Sequence, residues 1–70
     1  MSESVYKVIE LIGTSEESWE KAAKAAVDRA GKSLRDLRVA EVVKLDLQLD
    51  AKGGIEAYRA KLNVSFKFED

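Results

Sequence analysis

The stretch that decides the fold lies near the C-terminus and reads Ile55-Glu56-Ala57-Tyr58-Arg59-Ala60-Lys61-Leu62-Asn63-Val64-Ser65-Phe66-Lys67-Phe68. Apolar and polar residues alternate along it with a period of two, which is typical of a β-strand that covers a core with one face. The sequence therefore predicts a strand over residues 55–68. Its apolar face is expected to carry six side chains: Tyr58, Ala60, Leu62, Val64, Phe66 and Phe68.

The residues just before this strand predict its hairpin partner. Asp50-Ala51-Lys52-Gly53-Gly54 is typical of a tight turn, in which we expect both glycines to adopt positive φ angles. A second apolar strand precedes the turn and runs from Arg38 to Asp50. This strand is long for a small domain, so we expect a bulge or bend that swaps its two faces partway along.

The N-terminal half predicts one more strand, followed by a helix. The strand begins near Val5 and ends at Gly13, and both of its faces carry apolar residues, so its second face is expected to need a partner subunit. Ser15 is the expected helix N-cap, with a Thr14–Glu17 capping box as the alternative, and the helix is expected to end near Leu34. Its apolar stripe would hold Trp19, Ala22, Ala23, Ala26, Val27 and Ala30.

These elements define an α+β protomer in the order β-α-β-β, with a three-stranded antiparallel sheet wrapped around one helix. Residues 1–70 make a single domain, because the chain has only 70 residues, of which 46% are hydrophobic and 36% charged. A core of this size rarely supplies more than about 3–5 kcal/mol, and the absence of Cys excludes disulfides. We therefore expect oligomerisation to stabilise the domain.

Composition also limits the function. The chain has no His and no Cys, which excludes zinc fingers and catalysis by Ser-His or Cys-His pairs. Its net charge is −1, with basic and acidic residues interleaved, so nucleic acid is not an expected partner. Apolar runs are short and the N-terminus lacks a basic segment, so we expect no signal peptide, no membrane partner and a cytoplasmic location. With no phosphate-binding glycine motif and no deep cleft in one small sheet, we predict that the protein is not an enzyme.

Few side chains remain as candidates for a binding site. Trp19 lies on the helix stripe and is interpreted as a core anchor, with ligand stacking as the alternative. Arg59 is either a solvated strand charge or a contact to a ligand or second subunit. Asp46 and Asp50 lie roughly 13 Å apart along one strand, so a single calcium ion cannot join them directly. A metal site would have to be shared between subunits.

The sequence as a whole resembles the dodecins, a family of small binding proteins. The resemblance spans nearly the whole chain and is carried by Val5–Ser15 (VYKVIELIGTS), Ser18–Glu20, Leu34–Arg38, Glu41–Val42 and Lys61–Lys67. It implies that twelve copies assemble into a hollow, roughly spherical shell. It also implies non-enzymatic storage or buffering of flavins (riboflavin, FMN or FAD), which dodecins bind in pairs at two-fold-related sites.

The sequence departs from the family at three flavin-site positions. In dodecins a Trp stacks on the flavin ring, a Gln hydrogen-bonds its polar edge, and in some bacterial members an Arg meets the flavin phosphate. The matching positions here are Val39, Arg59 and Asp46. Val offers no aromatic surface, Arg donates hydrogen bonds without accepting them, and Asp repels phosphate. We therefore predict a homo-dodecameric small-ligand binding and storage protein whose usual flavin pocket is lost.

The same departures resemble a dodecin subgroup described as calcium-binding, which has Val-Ala at the aromatic pair and an acid at the position of Asp46. Binding of calcium or another cation is the alternative function, with Glu17 and Asp46 as the candidate ligands. Residual storage and buffering of riboflavin or FMN is a second alternative. A shell with a purely structural role, or with another ligand, is the third.

Overall fold

Four elements form the protomer in the computed structural model, which describes residues 3–67. They are strand β1 (Tyr6–Ser15), helix α1 (Trp19–Ser33), strand β2 (Leu37–Leu49) and strand β3 (Ile55–Lys67). The sheet is antiparallel throughout, in the order β1-β3-β2. This confirms the predicted β-α-β-β arrangement and places β3 at the centre. The expected position of Phe68 on its apolar face lies outside the described residues.

The helix begins later than the sequence predicts. Ser15 still belongs to β1, and its hydroxyl oxygen accepts hydrogen bonds from the backbone N–H groups of Glu17 (3.0 Å) and Ser18 (3.4 Å), which closes a short turn. Ser18 is the N-cap, because its own hydroxyl accepts the N–H of Lys21 at 3.1 Å. The predicted Ser15 cap and the Thr14–Glu17 capping box are therefore wrong, and β1 continues two residues beyond its predicted end.

The core is small and lies between α1 and the middle of the sheet. Its buried side chains confirm the predicted alanine stripe and the apolar face of β3, and only two of them are larger than alanine. The buried hydrophobic residues are Ala22, Ala26, Ala30, Ala60, Leu62 and Val64. Gly13 of β1 makes this close packing possible, because a Cβ there would lie 2.0 Å from the carbonyl oxygen of Ala22.

Strand β2 contains the predicted irregularity. Its register against β3 shifts between Val42 and Lys44, so Val43 is an extra residue in the ladder. Beyond this bulge the two faces of the strand exchange, as expected. Leu45 therefore lies on the side of the sheet that faces the helix, and Asp46 lies on the opposite side, which we call the outer face.

The hairpin turn needs only one of its two glycines in the left-handed region. Gly53 has a φ of 86°, whereas Gly54 does not adopt a positive φ, so the prediction for Gly54 is wrong. The reason is that Gly54 already pairs with Asp50: its carbonyl accepts the Asp50 N–H at 2.8 Å. The Asp50 carboxylate oxygen Oδ1 in turn accepts the N–H groups of Lys52 and Gly54, each at 2.9 Å.

The protomer is elongated and exposes a large surface. It measures 55 × 20 × 15 Å, and its radius of gyration is 14.5 Å, against about 11 Å for a compact domain of this length. Its accessible surface is 5445 Å², against about 4,400 Å² for a monomer of this mass. Within residues 3–67 no helix has the length and apolar character needed to cross a membrane.

Candidate functional site

The outer face of the sheet brings two of the predicted site residues together. Asp46 of β2 and Arg59 of β3 are direct cross-strand partners. The Arg59 Nε donates to Asp46 Oδ1 at 2.8 Å, and Arg59 Nη2 donates to Asp46 Oδ2 at 3.3 Å. Both side chains are about 40% exposed (39% for Arg59 and 40% for Asp46). The guanidinium therefore holds the carboxylate in a two-pronged ion pair at the edge of solvent.

This ion pair fixes the charge state of both groups. The hydrogen bonds from Arg59 lower the pKa of the Asp46 carboxyl below its ordinary value, partial burial opposes this, and the charges of Arg59, Lys44 and Lys61 add to the lowering. The pKa of Arg59 is raised, chiefly by the hydrogen bonds to Asp46. At neutral pH, Asp46 is an ionised carboxylate whose charge is matched by its neighbour.

The backbone of Asp46 is tied to the helix by Trp19. The indole Nε1 of Trp19 donates to the Asp46 carbonyl oxygen at 3.0 Å. The ring also meets Tyr58 of β3 edge-on, with centroids 5.1 Å apart and planes at 79°. Trp19 therefore joins α1 to both strands of the hairpin, which is the anchoring role that the sequence favours, with an added polar contact.

All three oxygen atoms of Asp46 thus have a nitrogen donor. The two carboxylate oxygens accept from Arg59, and the carbonyl oxygen accepts from Trp19. A sequence pattern does not show the contact with Trp19. Counting residue pairs outward from the turn would have placed Tyr58 opposite Asp46, because the hairpin register shifts by one residue close to the turn.

Val39 lies far from this pair. It is opposite Ser65 of β3, and Arg59 is six residues further along that strand, about 20 Å at the usual strand rise. The Val39 side chain is 61% exposed. It borders a groove of about 240 Å³ whose lining contains no aromatic ring: Val27, Leu37, Arg38, Val39, Ala40 and Val64. One protomer therefore does not bring the three flavin-site positions into a single pocket.

Glu17 has a separate environment in the turn before α1. Its carboxylate is paired with the ammonium of Lys21, one helical turn further on, and both side chains are exposed. Among residues 3–67 there is no group of three or more acidic side chains close enough to hold a metal ion. Calcium takes about six to eight oxygen ligands, so the donor types of Glu17 and Asp46 suit this ion, whereas the number available in one protomer does not.

A second groove lies on the helix side of the sheet near Trp19. Its volume is about 360 Å³, and its walls are almost entirely apolar: Trp19, Glu20, Ala23, Val42 and Leu45. Three further aliphatic side chains of the hairpin are exposed beyond it, at Leu47, Leu49 and Ile55. The far end of the hairpin therefore presents an apolar strip that the helix of the same protomer does not cover.

Fold and sequence together define the class of protein. Residues 5–69 match the family model described as Dodecin, and the chain therefore belongs to the dodecin family. A structure of dodecin from Streptomyces coelicolor superposes with a TM-score of 0.91 at 33% identity, covering 100% of this chain and 99% of that one.

Two comparisons point to one subgroup of relatives. The chain is 58% identical over 64 residues to a protein named calcium dodecin from Mycobacterium tuberculosis, which covers 91% of this chain and 89% of that protein. A crystal structure of calcium dodecin from the same organism is described as that of a calcium-chelating immunodominant antigen with a novel calcium-binding site. It is 56% identical, has a TM-score of 0.84, and covers 94% of this chain and 93% of that one.

Proposed function

We propose that this protein is a non-enzymatic, homo-dodecameric binding and storage protein that takes calcium, or a similar divalent cation, and does not hold flavin in the manner usual for dodecins. The observation that carries the proposal is the Asp46–Arg59 ion pair, which joins two of the three diverged flavin-site positions. The similarity to calcium dodecin supports the choice of ion. A cytoplasmic location stays a prediction.

The chemistry of the three positions argues against flavin. Val39 offers an exposed aliphatic side chain where an aromatic platform would be needed, and an aromatic pair contributes about 0.5–1.5 kcal/mol beyond its buried area. Arg59 cannot accept a hydrogen bond, and its guanidinium already faces Asp46. The Asp46 carboxylate would repel a flavin phosphate. Each change weakens a different part of flavin recognition.

The shape of the protomer supports an assembly. Apolar side chains on the outer face of β1 are exposed, with Tyr6 at 49%, Val8 at 57% and Ile12 at 53%. Together with the apolar strip at the end of the hairpin, they would leave an isolated protomer with little buried surface for its size. We propose that copies of the same chain cover both regions, and that a cation site with enough oxygen ligands forms where subunits meet.

The assembly is tested by native mass spectrometry of the full-length protein. We expect one species near 94 kDa, which is twelve times the 7.8 kDa protomer. A protein that remains monomeric at micromolar concentration would contradict the proposed shell.

Calcium binding is tested by titration calorimetry on the metal-free assembly. We expect binding in the wild type and a loss of at least about tenfold in affinity for Asp46→Asn, because a neutral amide is a weaker calcium ligand than a carboxylate. The matched control is Asp28→Asn, since Asp28 is an exposed helix carboxylate paired with Lys24 at 2.7 Å and is expected to leave calcium affinity unchanged. Glu17→Gln tests the second candidate ligand. Absence of heat in the wild type would refute calcium binding.

Loss of the flavin pocket is tested by quenching of riboflavin and FMN fluorescence. We expect no quenching by the wild type at sub-micromolar protein, and partial recovery in the double variant Val39→Trp/Arg59→Gln, which restores the stacking ring and the amide. Strong quenching by the wild type would instead favour residual flavin storage.

A further inference from the structure

The charged side chains of the protomer are divided between its two ends. At one end, which we call the basic end, the start of β1 pairs with the end of β3 at Tyr6 and Lys67. The last turn of α1 and the start of β2 lie beside them, because the Lys67 N–H donates to the carbonyl oxygen of Asp36 at 3.3 Å. Six basic side chains and two acidic ones belong to this end: Lys7, Arg29, Lys32, Arg35, Arg38 and Lys67 against Glu3 and Asp36.

The opposite end of the molecule, which we call the acidic end, has the reverse charge. It consists of the start of α1 and the distal half of the β2–β3 hairpin, which the Trp19–Asp46 hydrogen bond joins. A molecule 55 Å long therefore carries opposite net charges at its two ends. The acidic end has six acidic side chains and three basic ones: Glu16, Glu17, Glu20, Asp46, Asp50 and Glu56 against Lys21, Lys52 and Arg59.

Most of these charges have no partner within the protomer. Within residues 3–67, none of the six basic side chains at the basic end forms an ion pair. At the acidic end only two of the six carboxylates are in ion pairs, those of Glu17 and Asp46. Like charges gathered at one end of a small domain repel each other. Opposite charges on a neighbouring molecule would offset this repulsion at both ends.

Each end also exposes apolar surface beside its charges. The acidic end has the groove beside Trp19, which Glu20 borders, and the apolar strip of the hairpin. The basic end has the second groove, which Arg38 borders together with the exposed Val39. An apolar centre with a charged rim is the usual composition of a protein interface. The protomer exposes 5445 Å², about 1,000 Å² more than a compact monomer of its mass, and a stable interface removes about 800 Å² from each partner.

We infer that the acidic end of one protomer docks against the basic end of the next copy, in a head-to-tail contact whose charged rims set the orientation and whose apolar surfaces supply the affinity. This inference rests on the proposed function, since it assumes that copies of the chain assemble, and it adds which surfaces meet. Contact between two basic ends or two acidic ends is disfavoured, because it would bring like charges together. A head-to-tail contact fits a closed shell, since it forms a ring when its rotation closes.

The test reverses the charge of each end in the full-length protein. The pair variant Arg35→Glu/Arg38→Glu reverses the basic end, and Glu20→Lys/Glu56→Lys reverses the acidic end. Size-exclusion chromatography over a series of urea concentrations measures where half of the assembled species is lost. We expect this midpoint to fall by about 1 M or more in each pair variant, because like charges then face each other. The variant with all four substitutions has complementary ends again, so we expect its midpoint to lie above those of both pair variants.

The matched control for the fourfold variant is Lys24→Glu/Asp28→Lys. It reverses an ion pair in the middle of α1 and, like the fourfold variant, keeps the net charge at −1. We expect its midpoint to equal that of the wild type. Far-UV circular dichroism shows that each protomer is folded. If a charge reversal prevents folding, the glutamine variants of the same residues take its place, with a smaller fall of the midpoint expected.

The outcomes separate this inference from the proposed function. A wild-type protein that is monomeric would overturn both, because no copies would meet. An assembled wild type whose midpoint is unchanged in either pair variant would overturn the head-to-tail contact and leave the shell standing. A fourfold variant no more stable than the weaker pair variant would do the same, since the two ends would then act independently.

Discussion

The contact between Gly13 and the helix makes the sharpest prediction about the fold. A Cβ at position 13 would lie 2.0 Å from the carbonyl oxygen of Ala22 and 3.0 Å from both the Ala22 carbonyl carbon and the Ala26 Cβ. Carbon atoms pack at about 3.5–4.0 Å, so in Gly13→Ala the helix would have to move away from β1 by more than an ångström. The obstacle is backbone, which a change of rotamer cannot relieve.

The cost can be estimated from the same geometry. Extra methyl groups in a packed core cost about 1–3 kcal/mol, and a clash with helix backbone places Gly13→Ala at about 3 kcal/mol. For a domain of this length that is a fall in Tm of roughly 12–24 °C. The φ of Gly13 is not in the left-handed region, so the loss comes from packing alone.

The assay is urea denaturation followed by Trp19 fluorescence, at one fixed protein concentration because the stability of an oligomer depends on concentration. Gly31→Ala is the matched control, since its Cβ would meet only Leu37 Cδ1 at an ordinary 3.9 Å. Within a helix, alanine is preferred over glycine by up to about 1 kcal/mol, so this variant should be more stable than the wild type. A Gly13→Ala protein that unfolds within about 0.5 kcal/mol of the wild type would refute the reasoning about helix–strand approach.

Three further predictions concern single carboxylates. Asp36 has a φ of 56°, so Asp36→Val should lower the free energy of unfolding by about 1–2 kcal/mol while Asp36→Asn leaves it nearly unchanged, as measured by denaturation. Asp50→Ala removes the acceptor of two turn N–H groups and should lower the free energy of unfolding by about 1 kcal/mol. Lys52→Ala, measured by the same denaturation, is the control and should leave the free energy of unfolding nearly unchanged. The Arg59 hydrogen bonds lower the pKa of Asp46 in the folded protein. The ionised carboxylate therefore stabilises the fold fully at pH values above the pKa of Asp46 in the unfolded chain, and this stabilisation is lost as the pH falls through the pKa of Asp46 in the folded protein. The Tm advantage of the wild type over Asp46→Asn should therefore be constant at neutral pH and vanish only in strong acid, and an advantage that disappears near pH 6 would contradict the assignment.

Most of the fold could be predicted because its signals are local. The alternation in β3 and the alanine stripe of α1 each indicate one buried face, and the length of β2 indicates a bulge. The helix start could not be predicted, because Ser15 and Ser18 both suit an N-cap. Pairing of Ser15 within the sheet decides between them, and that is a tertiary contact.

The candidate site was predictable only in part. Asp46 and Arg59 were singled out separately, from their places on the two strands and from the family resemblance, but their contact depends on a register shift between Gln48 and Leu49 that the alternation does not show. The hydrogen bond from Trp19 to the Asp46 carbonyl was not predicted, because it joins a helix to a strand 27 residues away. Ligands contributed by other subunits are beyond any pattern within one chain.

The extra residue in β2 also decides how this strand can change in length. Val42 and Lys44 already face consecutive residues of β3, so Val43 is spare in the ladder. Deleting Val43 would therefore leave Leu45 on the helix side and Asp46 on the outer face. A deletion of one neighbouring residue could be absorbed in the same way, because Val43 could take the vacated place in the alternation. The bulge thus gives this part of the sheet a reserve of one residue, which lets the strand shorten without turning its side chains over.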